Sequence, residues 1–226
     1  MTFISFVAGL LALVLSAAQA PAQQRFDYLV RGDFFAGMAG DEARLQRAKT
    51  TCEEALAANP KHAEALVWHG AIVFFEAGQA FRKGDMAAGG QLFGRGVQEM
   101  NDAVALAPDN PGVLIPRAAV LIEGTRTMAP DMAKPLLESA VANYEHVLEI
   151  QQATWSTLGD HAKGELLFGL ADASARLGRQ DKAREYFKRV IADAPSSGQA
   201  PRAKSWLDTG TIPKATGIAS CTGCHK

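Results

Sequence analysis

No charge of either sign dominates the chain: 23 Lys and Arg stand against 24 Asp and Glu in 226 residues, a net charge of -1. Nucleic acids and anionic membrane surfaces are held through dense positive charge that displaces counterions. With no such excess, both are excluded as main partners. Motifs that carry hydrolytic chemistry are also missing. There is no HExxH, no GxSxG nucleophile elbow, and no carboxylate pair that its spacing separates from a solvated helix face. Gly89-Gly90-Gln91-Leu92-Phe93-Gly94-Arg95-Gly96 has the glycine density of a phosphate loop, but no Gly-Lys-Ser/Thr follows and no strand precedes it. Close helix packing at Gly90-x3-Gly94 is the expectation there. These absences point away from an enzyme, apart from chemistry that a bound cofactor would bring.

Alternation of period two, the mark of a half-buried strand, is nearly absent, so the expected class is all-α. Apolar residues make up 48% of the chain, enough for a sizeable core. The longest apolar run, Phe3 to Ala20, lies at the N-terminus and ends in small residues. It reads as an export signal covering residues 1–20, with cleavage between residues 18 and 22. No Lys or Arg precedes the run, and Pro21 follows the Ala18-x-Ala20 site. The run is shorter than the ~20 residues that span a bilayer comfortably. The mature chain therefore has no membrane span unless this segment is retained as an anchor.

What the chain does contain is a repeated phrase. Ala48-x3-Cys52-x2-Ala55-x4-Pro60, Gly96-x3-Met100-x2-Ala103-x4-Pro108 and Ala183-x3-Phe187-x2-Val190-x4-Pro195 share one spacing, and Ala140-x3-Tyr144-x2-Val147-x4-Gln152 repeats it without the proline. Small and large residues at these offsets lie on one helix face, where the small ones admit a neighbouring helix and the large ones fill the remaining space. A second phrase follows the first two prolines: Leu66-x2-His69-Gly70-x2-Val73 and Leu114-x2-Arg117-Ala118-x2-Leu121, with Leu167-x2-Leu170-Ala171-x2-Ser174 opening the last repeat. Together they resemble the tetratricopeptide repeat, a helical hairpin that stacks into a solenoid. The stretch from Leu167 to Pro195 is the closest match. The resemblance implies a surface for protein partners. The steps between Pro60, Pro108, Gln152 and Pro195 each exceed the ~34-residue period of that family, so the helices or turns are expected to be longer than standard.

Helices are expected over residues 25–38, 41–58, 62–83, 86–107, 112–128, 130–151, 155–177 and 180–194, which pair into hairpins. Residues 199–208 would cap the open end with Trp206 and Leu207, giving a helical repeat domain over residues 25–208. Pro116 suits a helix's first turn or a kink better than an unbroken interior. Residues 209–226 hold Gly210, Pro213, Gly217 and Gly223 without apolar periodicity and read as a flexible tail.

That tail carries the chain's most specific motif. Cys221-Thr222-Gly223-Cys224-His225 is CxxCH, the attachment sequence of a c-type haem. Two thiols at this spacing can each add to a porphyrin vinyl group, and His225 then falls beneath the iron as its proximal ligand. One covalent haem c is the expected cofactor. The alternative is that the motif binds a metal or exchanges disulfides. Zinc sites of this type use a further ligand pair, and the remaining cysteine, Cys52, is expected to be a buried, inert thiol. Bacterial haem attachment takes place outside the cytoplasmic membrane, so the export signal and the motif support each other and imply a periplasmic or otherwise exported protein. His62 and His161, near expected helix starts, are exposed candidates for the iron's distal ligand. His69 is expected to be a hydrogen-bonded core residue. The expected role is that of an electron-transfer or docking subunit for a redox protein bound on the repeat surface, or else of an adaptor without haem.

Overall fold

The computed structural model describes residues 25–212. The export-signal segment, Cys221, Cys224 and His225 lie outside the described residues. These fold into α1 (Asp27–Met38), α2 (Glu42–Ala58), α3 (Ala63–Arg82), α4 (Met86–Leu106), α5 (Pro111–Gly124), α6 (Pro130–Ile150), α7 (Asp160–Arg176), α8 (Gln180–Asp193) and α9 (Ala200–Thr209). Among the described residues there is no strand, and the all-α, tetratricopeptide-like hairpin architecture holds.

Local sequence explains both kinds of turn. Within three hairpins the first helix ends on a glycine in the left-handed region, Gly40 (φ 105°), Gly84 (φ 83°) and Gly178 (φ 76°), where a side chain would be strained. The next residue's N–H then reaches back to a carbonyl of the last turn: Asp41 to Ala36 at 3.0 Å, Asp85 to Ala80 at 3.0 Å and Arg179 to Ser174 at 2.9 Å. Asp41 and Asp85 also cap the following helices, accepting from the N–H groups of Arg44 and Ala88. Between hairpins the prolines act through the residue before them. Asn59, Ala107 and Ala194 all leave the helical region, with φ near -144°, -146° and -142°, as a following proline demands. Gln152 lacks that constraint, and the chain runs instead into a 3-10 turn, Gln152–Thr157, so that α7 starts later than its apolar pattern suggests. Pro116 stands inside α5, which is helical on both sides of it. The bond it forgoes is the one to the Gly112 carbonyl.

The repeated phrase is the core. Ala48, Gly96, Ala140 and Ala183 are buried, as are Cys52, Met100, Tyr144 and Phe187 beside them. Burial pushes the Cys52 thiol up to about 12, and the nearby Glu53 and Glu99 add to this, so it stays protonated and unreactive. The closest approach is between α3 and α4. A Cβ on Gly96 would lie 2.7 Å from the Phe74 nitrogen and 2.8 Å from the Gly70 carbonyl oxygen. Gly89, on the same face two turns earlier, meets the Phe81 ring. Gly90 and Gly94, expected to make the close contact, point into open space. The face that carries Gly96 and Met100, not the one that carries Gly90 and Gly94, is the one turned inward.

Polar side chains link successive hairpins at equivalent places. His69 Nδ1 is 2.6 Å from Glu99 Oε2, and its Nε2 is 3.8 Å from Glu53 Oε1, so the buried ring lies between α2 and α4. In the next hairpin Arg117 takes the His69 position and donates to Asn101, Ser139 and Asn143 at 2.6, 2.8 and 2.5 Å. In the last, Tyr186 donates directly to Glu145 at 3.2 Å. Burial by itself would raise the Glu99 carboxyl, but hydrogen bonds from His69 and Arg95 outweigh it and hold it below its ordinary value of 4.5.

Two outcomes follow. Gly96→Ala should destabilise the fold by roughly 1–3 kcal/mol through overpacking, while Gly94→Ala should stabilise it by about 1 kcal/mol through helix propensity; chemical denaturation of both variants checks the contrast. Because the folded pKa of Glu99 is depressed, its contribution to stability is present above about 4.5 and is lost as the pH falls through the folded value. Glu99→Gln should therefore lose less stability than the parent chain on acidification, read from urea midpoints at neutral and acid pH.

Candidate functional site

The first helices of the hairpins, α1, α3, α5 and α7, turn one face toward a shared groove of about 310 Å³. Two helices carry the same stripe. Asp27, Arg31, Phe34 and Met38 on α1 and His161, Glu165, Phe168 and Asp172 on α7 recur at the spacing that puts four side chains on one helix face. Trp68 of α3, Val120 of α5 and Arg202 of α9 complete the lining.

The groove is apolar at its centre and charged at its edges. Phe34 meets Trp68 edge-on at 5.4 Å between ring centroids. The Arg202 guanidinium lies over the Phe168 ring at 4.3 Å. At one end Arg126 grips Glu123 through two bonds of 2.7 and 2.9 Å and reaches Asp172 at 2.8 Å. The hydrogen bonds that Arg126 donates to Glu123 raise its pKa most, so the guanidinium stays charged. Arg176 backs this cluster, donating to the Ile122 carbonyl at 2.7 Å and to Thr125 Oγ1 at 2.8 Å. Asp27, 3% exposed, sits within 3.2 Å of Arg25 and 3.3 Å of Arg31. Burial raises the Glu165 carboxyl, against the opposing charges of His161 and Arg31. Since Arg31 belongs to the first hairpin and Glu165 to the last, the two ends of the stack face each other across the groove. Four arginines of the lining are matched by Asp27, Glu123, Glu165 and Asp172, so the groove offers no field that would draw in a strongly charged ligand. It suits a largely apolar body with polar groups at its rim.

The candidate histidines are not brought together. His62 is half-buried and caps α3, its Nδ1 accepting from the Ala65 N–H at 3.3 Å, while its ring packs on Phe26 at 4.9 Å. It lies outside the groove lining. His161 does line the groove, with Nε2 facing Glu165 Oε1 at 3.5 Å. Both are of intermediate exposure; Phe26 packs on His62, while the His161 side chain remains 44% exposed. His69 is an interior, hydrogen-bonded residue, as expected. His146 is partly exposed, and its hydrogen bond to Asp109 at 2.7 Å, with a second to Glu149, raises its pKa. Arg31, Trp68, Glu165 and Met38 were not singled out by motif reading, although the matching stripes of α1 and α7 carry three of them. Among the described residues no cluster of His, Cys, Asp and Glu is arranged to hold a metal.

Residues 165–197, most of α7 with α8 and its exit turn, match the model of the tetratricopeptide repeat family. The chain is a tetratricopeptide-repeat-like helical protein. No curated protein matches it. The matched stretch is the last hairpin, which supplies Glu165, Phe168 and Asp172 to the groove, and the three preceding hairpins of this repeat-like stack share its buried slots. No helix among the described residues is long and apolar enough to cross a membrane.

Asp172→Asn, which removes the buried negative partner of Arg126, should cost about 2 kcal/mol, in the range of a hydrogen bond to a charged group. Denaturant unfolding checks this, and Glu138→Gln on the exposed Arg179 pair should change stability far less.

Proposed function

We propose that this is an exported repeat protein that carries one covalent c-type haem at Cys221, Cys224 and His225 and serves as an electron-transfer or docking subunit for a redox partner. The observation that carries the reading is the CxxCH sequence together with the export-signal-like N-terminus. The repeat match supports the protein-docking half, since stacked helical hairpins present extended surfaces to partners. The haem, when bound, supplies a one-electron carrier. The chain's own residues anchor it through two thioether sulfurs and one imidazole, and the helical stack supplies the surface that selects a partner.

The competing reading is an adaptor whose CxxCH binds zinc or exchanges disulfides. Cys52 speaks against the closed form of either. It is fully buried in the first hairpin with its thiol held protonated, so it is unsuited to serve as a further thiolate ligand or as an exchange partner. Nothing in the groove or the motif set favours catalysis by the chain itself.

The test is attachment. After expression with an intact cytochrome maturation system, the protein should stain for haem on a denaturing gel, because thioether bonds survive unfolding. Cys224→Ala, which removes one thioether, should reduce or abolish the stain. Zinc in the purified protein with no haem would overturn the reading in favour of the adaptor.

A further inference from the structure

The two ends of the stack are finished differently. The last hairpin is closed by α9, whose Ala203 and Trp206 are buried and whose Trp206 ring lies 4.5 Å from that of Phe187. A stack of helical hairpins needs such a cover, because each repeat leaves an apolar face that it cannot bury alone. Among the described residues no element takes the corresponding place before α1. The later first helices show what that place holds elsewhere. α2 packs on α3 and α6 on α7, and Ala65 and Ile72 of α3, with Leu166, Leu170 and Ala173 of α7, are at most 4% exposed. A polar group of the preceding second helix also reaches over: Glu53 of α2 lies 3.8 Å from His69, and Asn101 of α4 accepts from Arg117. The cover at each later hairpin is thus the second helix of the hairpin before it.

On α1 that face is open. Tyr28 is 56% and Leu29 49% exposed, and Gly32, one turn on from both, is exposed as well. The other sides of α1 are taken: Val30 and Phe34 are buried in the core, and Asp33 pairs with Arg44 and Arg47 of α2. The open face is rimmed with positive charge. Arg25 and Arg31 flank the Tyr28 ring, 5.5 and 5.2 Å from its centroid. The Arg44 guanidinium lies beside Gly32, 3.7 Å from where a Cβ would stand. With Arg47, four guanidiniums share only Asp27 and Asp33, so positive charge is in excess and favours a further anion. A second copy facing this end through a two-fold axis would set arginines against arginines.

We propose that the open face of α1, at Tyr28, Leu29 and Gly32, docks an amphipathic helix of a partner protein whose apolar stripe is edged with carboxylates, laid where the second helix of a preceding hairpin would lie. Its apolar stripe covers Tyr28 and Leu29, its backbone approaches over Gly32, and its acidic edge meets Arg25, Arg44 and Arg47. Tyr28, Leu29 and Gly32 lie outside the groove lining, so this is a second surface. The proposal rests on the docking half of the reading above and does not involve the haem.

The probe is a synthetic peptide of residues 130–150, the helix that packs on α7, in which Asp131, Glu138, Glu145 and Glu149 stand against Lys134. Labelled and titrated with the full-length protein, it should bind saturably and more weakly as salt is raised. Leu29→Glu, at an exposed position, should weaken binding about tenfold with helicity unchanged. Arg47→Gln should weaken it less and flatten the salt dependence. Ile191→Glu, at an exposed apolar residue of the last hairpin, should bind as the wild type does, and a peptide with its four carboxylates changed to amides should bind worse. Absence of binding, or binding that Leu29→Glu leaves intact, overturns the proposal. So does a dimer in sedimentation that Leu29→Glu dissolves, which assigns the face to a second copy, and so does retention on phosphatidylglycerol vesicles without peptide binding, which assigns it to a membrane. Haem staining of the same preparation reads the attachment separately, so a failed docking and a failed haem reading are told apart.

Discussion

The backbones of α3 and α4 come close enough at Gly70 and Gly96 that a single added carbon would collide with main-chain atoms. The other hairpins place alanine in the Gly96 slot, with Cys52, Tyr144 or Phe187 buried four residues later, so every hairpin is closed by a small residue with a buried side chain behind it. Close packing of this kind tolerates little volume change. It fixes the spacing of the second helices; glycine turns close the first, second and last hairpins, and Pro60, Pro108 and Pro195 mark where those three end. The inward faces of α1, α3, α5 and α7 are what remains. The groove is therefore backed by this core and tied at its edge by Arg126 to Asp172.

The polar links between hairpins sit in matching positions but use different chemistry. His69 with Glu99 is an ionisable pair, Arg117 is satisfied by neutral amide and hydroxyl oxygens, and Tyr186 bonds Glu145 directly. A buried charge satisfied only by neutral oxygens still loses hydration, and burial accordingly lowers the Arg117 pKa. The first of these links includes a carboxylate held below its ordinary range. The His69–Glu99 link thus gives the second hairpin an acid-sensitive contact, while the groove edges are anchored by the Arg126 cluster farther along.

Much of this was legible in the chain itself, because helix packing writes a period that few substitutions obscure. The four small-and-large phrases located α2, α4, α6 and α8 and their buried faces, and the tetratricopeptide-like Leu167 to Pro195 stretch lies within the matched residues 165–197. Which of two glycine faces is turned inward was not legible from glycine spacing alone: Gly90 and Gly94 share a face, but so do Gly89 and Gly96, and only packing against Phe81 and Phe74 distinguishes them. The repeat phrase, which contains Gly96, held the answer. The late start of α7 was hidden because a missing proline says that one turn is absent without saying what replaces it. The groove escaped notice because its lining mixes charged residues with aromatic and aliphatic ones, which on a single helix looks like a solvated face. It becomes a site only when α1 and α7 are seen to face each other.

A helical stack with a balanced, apolar-centred groove and a CxxCH sequence in the same chain joins a rigid scaffold to a redox group. The scaffold alone would serve any protein partner; the thiols at Cys221 and Cys224 are what make the proposed role one of electron transfer. Intact-protein mass spectrometry of the exported chain bears on this most directly. The account predicts a chain cut between residues 18 and 22 whose mass exceeds that of its polypeptide by one haem. A chain of unmodified mass, with both thiols at Cys221 and Cys224 open to alkylation, would contradict it.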